Sequence, residues 1–336
     1  MDRTGAKLEA VVSDWKPINM DCPQGSNLGP LLWNIYQNDL LYPDRSSSLS
    51  MYADDHQLYY AHSNIDVLME RIKYEGERMS AWYKENHLVG NLNKYQAMII
   101  GSKHNPSQPT LDINGHLINI TEELKLLGVT IDKDLHFSEH ISAICKKASR
   151  LIGVLMRLRK LIPTEAKLQI YKTAILPHLT YCSLVWHFCK ASDRRKLERV
   201  NERGLRAVFC NWSLSYNNLL KRANLTTLYN KRLQDIAIFM FKVKHKLLPV
   251  NILDLFSGTP SNYYLRNSDF YIPRFNSVRH GKHSLKFFGP RLWSKLSPGD
   301  RERQALTAFM ANIRKRDLAS LVENDLCNDN CPTCSS

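Results

Sequence analysis

The sequence has no long apolar run, no dense cysteine pattern and, in two stretches, no acid at all. None of its 336 residues falls in a run approaching the ~18 apolar residues of a membrane-spanning helix, so no membrane partner is expected. The opening Met1-Asp2-Arg3-Thr4-Gly5 lacks the apolar core of a secretory signal. Eight cysteines over this length fall short of a secreted disulfide framework, and reduced thiols in nucleus or cytoplasm are the expectation. Acid is missing between Glu139 and Glu165 and again across 270–299. With 46 Lys and Arg against 32 Asp and Glu, the chain carries +14, which favours a polyanionic partner, nucleic acid first. The length suffices for two domains or more.

What is present centres on Ser50-Met51-Tyr52-Ala53-Asp54-Asp55-His56-Gln57-Leu58-Tyr59-Tyr60. Two β-favouring runs meeting at a short polar turn predict a hairpin. Asp54 and Asp55 at its tip repel unless a cation compensates them. Magnesium does so well, being a hard ion that takes oxygen ligands and shares them with phosphate. A pair of such ions stabilises both the attacking and the leaving oxygen of an in-line phosphoryl displacement. On these letters alone, an ordinary Asp-Asp surface turn is the commoner explanation.

Upstream, 23–40 reads Pro-Gln-Gly-Ser-Asn-Leu-Gly-Pro-Leu-Leu-Trp-Asn-Ile-Tyr-Gln-Asn-Asp-Leu, a glycine-punctuated loop entering an apolar helix. Together the two stretches resemble the palm of reverse transcriptases encoded by non-LTR (LINE-type, jockey-like) retrotransposons. The resemblance implies an α+β fold, in which a partial polymerase palm (antiparallel sheet with packed helices) precedes a mainly helical thumb and C-terminal region. It implies template-directed nucleotidyl transfer with two magnesium ions, an RNA template, a DNA primer and a deoxynucleoside triphosphate. It makes Asp54 and Asp55 metal ligands, and assigns the nucleotide and template base to Gln24, Gly25, Ser26 and Tyr52. Asp21 and Cys22 stand where the family more usually has Gly and an aliphatic residue, and Asn27 replaces an aliphatic.

Two-metal polymerases use a third carboxylate, from a strand well upstream of this loop in the resembled family. Only Asp2, Asp14 and Asp21 precede the loop here, and Asp14 falls in the approach to it. The expectation is therefore the C-terminal part of a larger polymerase, without fingers and first palm motif, inactive by itself and complemented by the upstream portion. The alternative is a non-catalytic nucleic-acid-binding relic of a retroelement.

Further along, Ile65, Leu68, Met69, Ile72, Met79, Trp82 and Tyr83 recur at helical spacing behind Asn64 as N-cap. A strand is expected over 95–101; Lys94 before it becomes, by resemblance, a cation beside the leaving pyrophosphate. Asn114-Gly115 predicts a type I′ hairpin. A strand follows over 124–132, where the resemblance places a primer grip at Leu127, Gly128 and Val129. Residues 137–162 read as an amphipathic helix with Ser138 as N-cap and a basic flank (Lys146, Lys147, Arg150, Arg157) suited to a nucleic-acid backbone. Another helix runs from Pro163 to a stop at Pro177.

Beyond Trp186, Arg194, Arg195, Lys196, Arg199, Arg203 and Arg206 face Asp193, Glu198 and Glu202, acids placed to balance much of that charge. Over 270–299, Phe270, Tyr271, Phe275, Phe287, Phe288 and Trp293 alternate with six cations, fitting either base stacking or a packed loop region. The run Phe288-Gly289-Pro290-Arg291-Leu292-Trp293 also extends the resemblance. Cys327, Cys331 and Cys334 are spaced like zinc ligands without a fourth, so free thiols on a flexible tail are expected. The expected divisions are a partial palm (1–133), a thumb-like helical region (134–190), a basic helical and loop region (191–320) and the tail (321–336).

Overall fold

A computed structural model describes residues 25–41, 47–101, 110–257, 269–275 and 281–322, and the backbone of four two-residue strands before them. The tail cysteines, Gln24 and the three aspartates ahead of the loop lie outside the described residues. The fold is α+β and divides into two compact units, one of 1–97 with 104–121, the other of 98–103 with 122–336.

In the first unit, β1 (Arg3–Thr4) pairs antiparallel with β4 (Lys16–Pro17), and β2 (Lys7–Leu8) with β3 (Val11–Val12). Helix α1 (Gly29–Tyr36) carries Pro30 in its first turn, where the missing N–H costs nothing. The hairpin β5 (Ser48–Tyr52) and β6 (Asp55–Tyr59) follows. Asn64 caps α2 (Ile65–Glu85) as expected, its side chain accepting the N–H groups of Asp66 and Val67. Asn114 and Gly115, at φ 52° and 80°, form the predicted type I′ turn between β7 (Thr110–Ile113) and β8 (His116–Asn119). Leu111, Ile113 and Ile118 of that hairpin are buried against Met69 and Ile72 of α2 and against Tyr95 and Ala97. The strand expected over 95–101 is reduced to one bridge, Ala97 to Ile120, because Tyr95 turns in to that core and Gly101 takes φ 80°.

The second unit opens with β9 (Glu123–Leu126) and β10 (Val129–Asp132), so the single strand expected over 124–132 is a hairpin. Its turn, Leu127-Gly128 at φ 45° and 84°, carries no Asn-Gly signature. Helix α3 (Ser138–Arg157) starts one residue later than expected. Ser138 is its first residue, not its cap: its hydroxyl donates to Asp193 at 2.7 Å, and Phe137 turns the chain in from left-handed backbone. Asp132 secures that entry by accepting the N–H groups of Asp134, His136 and Phe137.

Helix α4 (Thr164–Ile170) does not end at Pro177. It passes through a π-turn (Tyr171–Ile175) into α5 (Leu176–Thr180). The widened turn makes room for the proline ring, whose clash with the preceding turn ends an ordinary helix. The pair α3 and α4–α5 joins α6 (Ala191–Phe209) and α7 (Tyr216–Ala223) around one core that includes Ile141, Ile152, Tyr171, Leu179, Trp186 and Leu205. A second core holds Phe241 of α8 (Leu228–Lys244), Trp293 of α10 (Leu285–Ser294), Phe309 of α12 (Leu306–Ile313) and Val322 of α13 (Ala319–Val322). Short helices α9 (Val250–Asp254) and α11 (Pro298–Arg301) complete the unit. Base stacking is thereby ruled out for Phe288 and Trp293, both buried in that core with Phe270 packed edge-on to Trp293. Tyr271 remains exposed.

His187 is buried between the Tyr229 and Phe288 rings, and its Nδ1 has no hydrogen-bond partner among the described residues. Burial first, then the charges of Arg232 and Arg194 and the neighbouring His283, holds its pKa well below the ordinary imidazole range. It is therefore neutral when folded, while the unfolded chain takes up a proton near pH 6.5. The unfolded state binds the extra proton, so this stability is full above that pH and is lost on acidification. Moving from neutral to mildly acidic pH should cost about 1 kcal/mol through His187 alone. Urea unfolding at both pH values checks this, with His187→Phe expected to show a smaller difference than the parent; an identical difference would exclude His187 as its source.

Candidate functional site

The hairpin register pairs Tyr52 with Asp55, so the two turn residues are Ala53 and Asp54, and Asp55 opens β6. This is one position short of a turn made by both aspartates, because Asp55 completes the ladder. Ala53 holds φ 52°, a left-handed conformation that costs a residue with a Cβ about 1 kcal/mol or more. The indole of Trp33, in mid-α1, donates to the Ala53 carbonyl at 2.8 Å and fixes the turn. Both carboxylates are exposed and, among the described residues, form no ion pair. They are two adjacent oxygen donors free to take a hard cation, which fits magnesium as far as two ligands go. No group of three metal-ligating side chains occurs among the described residues.

Two contacts of His56 set this hairpin against its surroundings. His56 Nε2 lies 2.9 Å from Gln37 Oε1, just past α1, and its Nδ1 meets the Tyr83 hydroxyl of α2. Burial lowers the His56 pKa and outweighs the opposing pull of Asp54 and Asp55. Tyr36 stacks with Trp33 and donates its hydroxyl to the Asn86 carbonyl at the end of α2. Gly25, at φ 86°, turns the loop as only glycine does readily. Ser26 accepts the Leu28 N–H at 3.2 Å, and Tyr52 is exposed beside the turn. Lys94 ends a short 3₁₀ turn (Leu92–Lys94) and is exposed.

In the second unit, the Tyr181 phenol donates to the Leu127 carbonyl at 2.8 Å, and its ring lies 3.6 Å from where a Cβ on Gly128 would stand. Val129, paired with Leu126 beside the turn, is buried. Lys146, Lys147, Arg150 and Arg157 are all exposed on α3. Lys147 stands on the flank toward His178, whose pKa burial, with this charge, lowers. Sequence reasoning missed Trp33, His56 and Tyr181 as positioning groups, since each acts through a contact distant in the chain. No local signal marks any of them.

Residues 9–131 match the family model described as "Reverse transcriptase (RNA-dependent DNA polymerase)", a span holding the loop, α1 and the paired aspartates. That stretch is similar to reverse transcriptases, and the chain is similar over a longer span to RNA-directed DNA polymerases of retrotransposons. Over 217 residues it is 26% identical to a probable RNA-directed DNA polymerase from transposon BS of Drosophila melanogaster, covering 61% of this chain and 24% of that protein. It is 26% identical over 242 residues to the RNA-directed DNA polymerase from mobile element jockey of the same organism, covering 68% and 26%. It is also 27% identical over 180 residues to a retrovirus-related Pol polyprotein from type-1 retrotransposable element R1 2 of Nasonia vitripennis, covering 49% and 43%. The chain thus spans about a quarter of the length of the first of these relatives. No solved structure matches it. Reverse transcriptases as a family work with magnesium and nucleotides. Among the described residues no helix is long and apolar enough to cross a membrane.

Proposed function

We propose that the chain supplies part of an RNA-directed DNA polymerase centre: the metal-gripping turn, the nucleotide loop and a thumb for the primer–template duplex. The observation that carries this is the Trp33 bond to Ala53, which ties the helix behind the Gly25 loop directly to the Asp54–Asp55 turn. Asp54 and Asp55 would hold magnesium, which when bound spreads the charge of the transferring phosphate and activates the primer hydroxyl. Gly25, Ser26 and Tyr52 would contact the incoming nucleotide and template base, with Gln24 assigned there by resemblance alone, and Gly25 leaves room for backbone close to the ligand. Lys94 neutralises the leaving pyrophosphate. The Leu127-Gly128-Val129 turn, braced by Tyr181, supports the primer end. The region around 134–190 acts as the thumb.

Two carboxylates are one short of a two-metal centre, so the third belongs to another segment of the polymerase. The isolated chain is expected to show no primer extension with magnesium on an RNA template. Extension should appear when an upstream polymerase portion is supplied, and Asp54→Asn should abolish it. Extension by the chain alone, lost in Asp54→Asn, would overturn the incomplete-site reading. No extension under either condition, with duplex binding intact, would favour the non-catalytic nucleic-acid-binding relic.

A further inference from the structure

Helix α6 carries Arg195, Arg199 and Arg203 at successive four-residue steps, and all three are exposed on one row. The acids that might have balanced them are engaged elsewhere. Asp193 is buried and accepts the Ser138 hydroxyl. Glu198 accepts the Tyr216 hydroxyl and the Tyr229 N–H, and Glu202 pairs with Arg206 at 2.6 Å. Among the described residues, Arg195, Arg199 and Arg203 make no ion pair. Like charges one turn apart repel, so the row costs stability unless an anion covers it.

The row does not stand alone. Helices α3 and α6 lie side by side in the same direction, as three contacts in order show. Ser138 bonds Asp193, Lys196 donates to Ser142 at 2.8 Å, and Ile152 lies 3.3 Å from where a Cβ on Gly204 would be. The charges of Lys196 and Arg203 also reach the Cys145 thiol inside α3. The exposed Lys146, Arg150 and Arg157 of α3 therefore border the same seam. At 1.5 Å per residue, the α6 row runs about 12 Å and the α3 row about 16 Å.

We propose that Arg195, Arg199 and Arg203, with Lys146, Arg150 and Arg157, form a two-helix seam that grips the phosphates of a nucleic-acid duplex. This rests on the thumb reading above and extends it into α6. Single-strand grooves combine cations with exposed aromatics for base stacking. No aromatic side chain stands among the six cations on these two helices, which suits backbone contact with paired strands.

The test measures binding of the full chain to an RNA–DNA hybrid duplex and to single-stranded RNA across a series of KCl concentrations. Each phosphate contact contributes about 0.9 to the slope of log affinity against log salt on a duplex. Arg195→Gln/Arg199→Gln/Arg203→Gln should lower the duplex slope by about 2–3, and the corresponding triple lysine variant should keep it. Arg199→Gln alone should remove about 0.9, a milder change that guards against a folding defect in the triple variant. An unchanged slope in the glutamine variants, with Lys146→Gln/Arg150→Gln/Arg157→Gln flattening it, would overturn the proposal and leave the thumb reading standing. Loss confined to single-stranded RNA would also overturn it. Parent protein lacking any salt-dependent duplex binding would remove the thumb reading itself.

Discussion

Gly204→Ala should destabilise the helical unit by about 2–3 kcal/mol, although alanine is the better helix former. In an open helix the change would gain up to ~1 kcal/mol. In α6 the added methyl would stand 2.4 Å from Tyr171 Cε2 and 3.2 Å from its Cζ, closer than atoms can pack. The ring has nowhere to go. Tyr171 is fully buried at the start of the π-turn, and its hydroxyl donates to Asn201, one turn before Gly204 on the same helix. Asn201 in turn donates to Tyr216 at 2.6 Å, and Tyr216 donates to Glu198. Moving the ring thus strains the packing and threatens a buried hydroxyl chain whose unsatisfied members cost about 1–3 kcal/mol each. Chemical denaturation measures the loss. Unchanged stability would mean that α6 can shift away from Tyr171, and the close approach would carry no energy. Gly76 provides the contrast: the nearest atom to its added Cβ, at 2.7 Å, is Ile113 Cδ1, the end of a flexible side chain.

The same contrast, between local and distant neighbours, explains how much of the molecule was legible in the sequence. Helical spacing and the Asn64 cap marked α2, and Asn114-Gly115 marked its hairpin, because these signals act within a few residues. The Asp54–Asp55 turn was legible to within one position, since strand pairing rather than residue type decides where a ladder closes. Pro177 misled because its usual effect presumes an ordinary α-turn, and the π-turn before it is sustained by tertiary packing around Tyr171. Leu127-Gly128 hid a hairpin because a leucine at φ 45° is held there from outside, by Tyr181. The charge on α6 was miscounted for a similar reason. Spacing pairs Asp193, Glu198 and Glu202 with arginines, whereas among the described residues only Glu202 keeps such a partner and the others serve half-buried hydroxyls and a backbone amide.

Arg232→Met should raise stability by about 1–4 kcal/mol, the opposite sign from most core substitutions. Arg232 is almost fully buried on α8, and none of its three guanidinium nitrogens has a hydrogen-bond partner among the described residues. Burial chiefly lowers its pKa, and the neighbouring Arg194 adds to that, against the opposing effects of Cys189, Glu198 and Tyr229. Its favourable contacts are with aromatic faces, at 5.3 Å from the Trp186 centroid and 5.7 Å from that of Tyr229. Such contacts are worth about 2 kcal/mol when desolvated, whereas an unpaired buried charge costs several. The desolvation penalty therefore outweighs the aromatic contacts. Methionine keeps the unbranched length and can still lie against both rings. Removing the charge strands no carboxylate, because Glu198 already accepts from Tyr216 and from the Tyr229 amide. It also removes the charge that, after burial, most lowers the pKa of His187, so the gain should be larger at mildly acidic pH than at neutral pH. Thermal and urea unfolding of Arg232→Met beside the parent measure the sign directly. A loss of more than about 1 kcal/mol would show that the guanidinium contributes more through its two aromatic faces than its desolvation takes away.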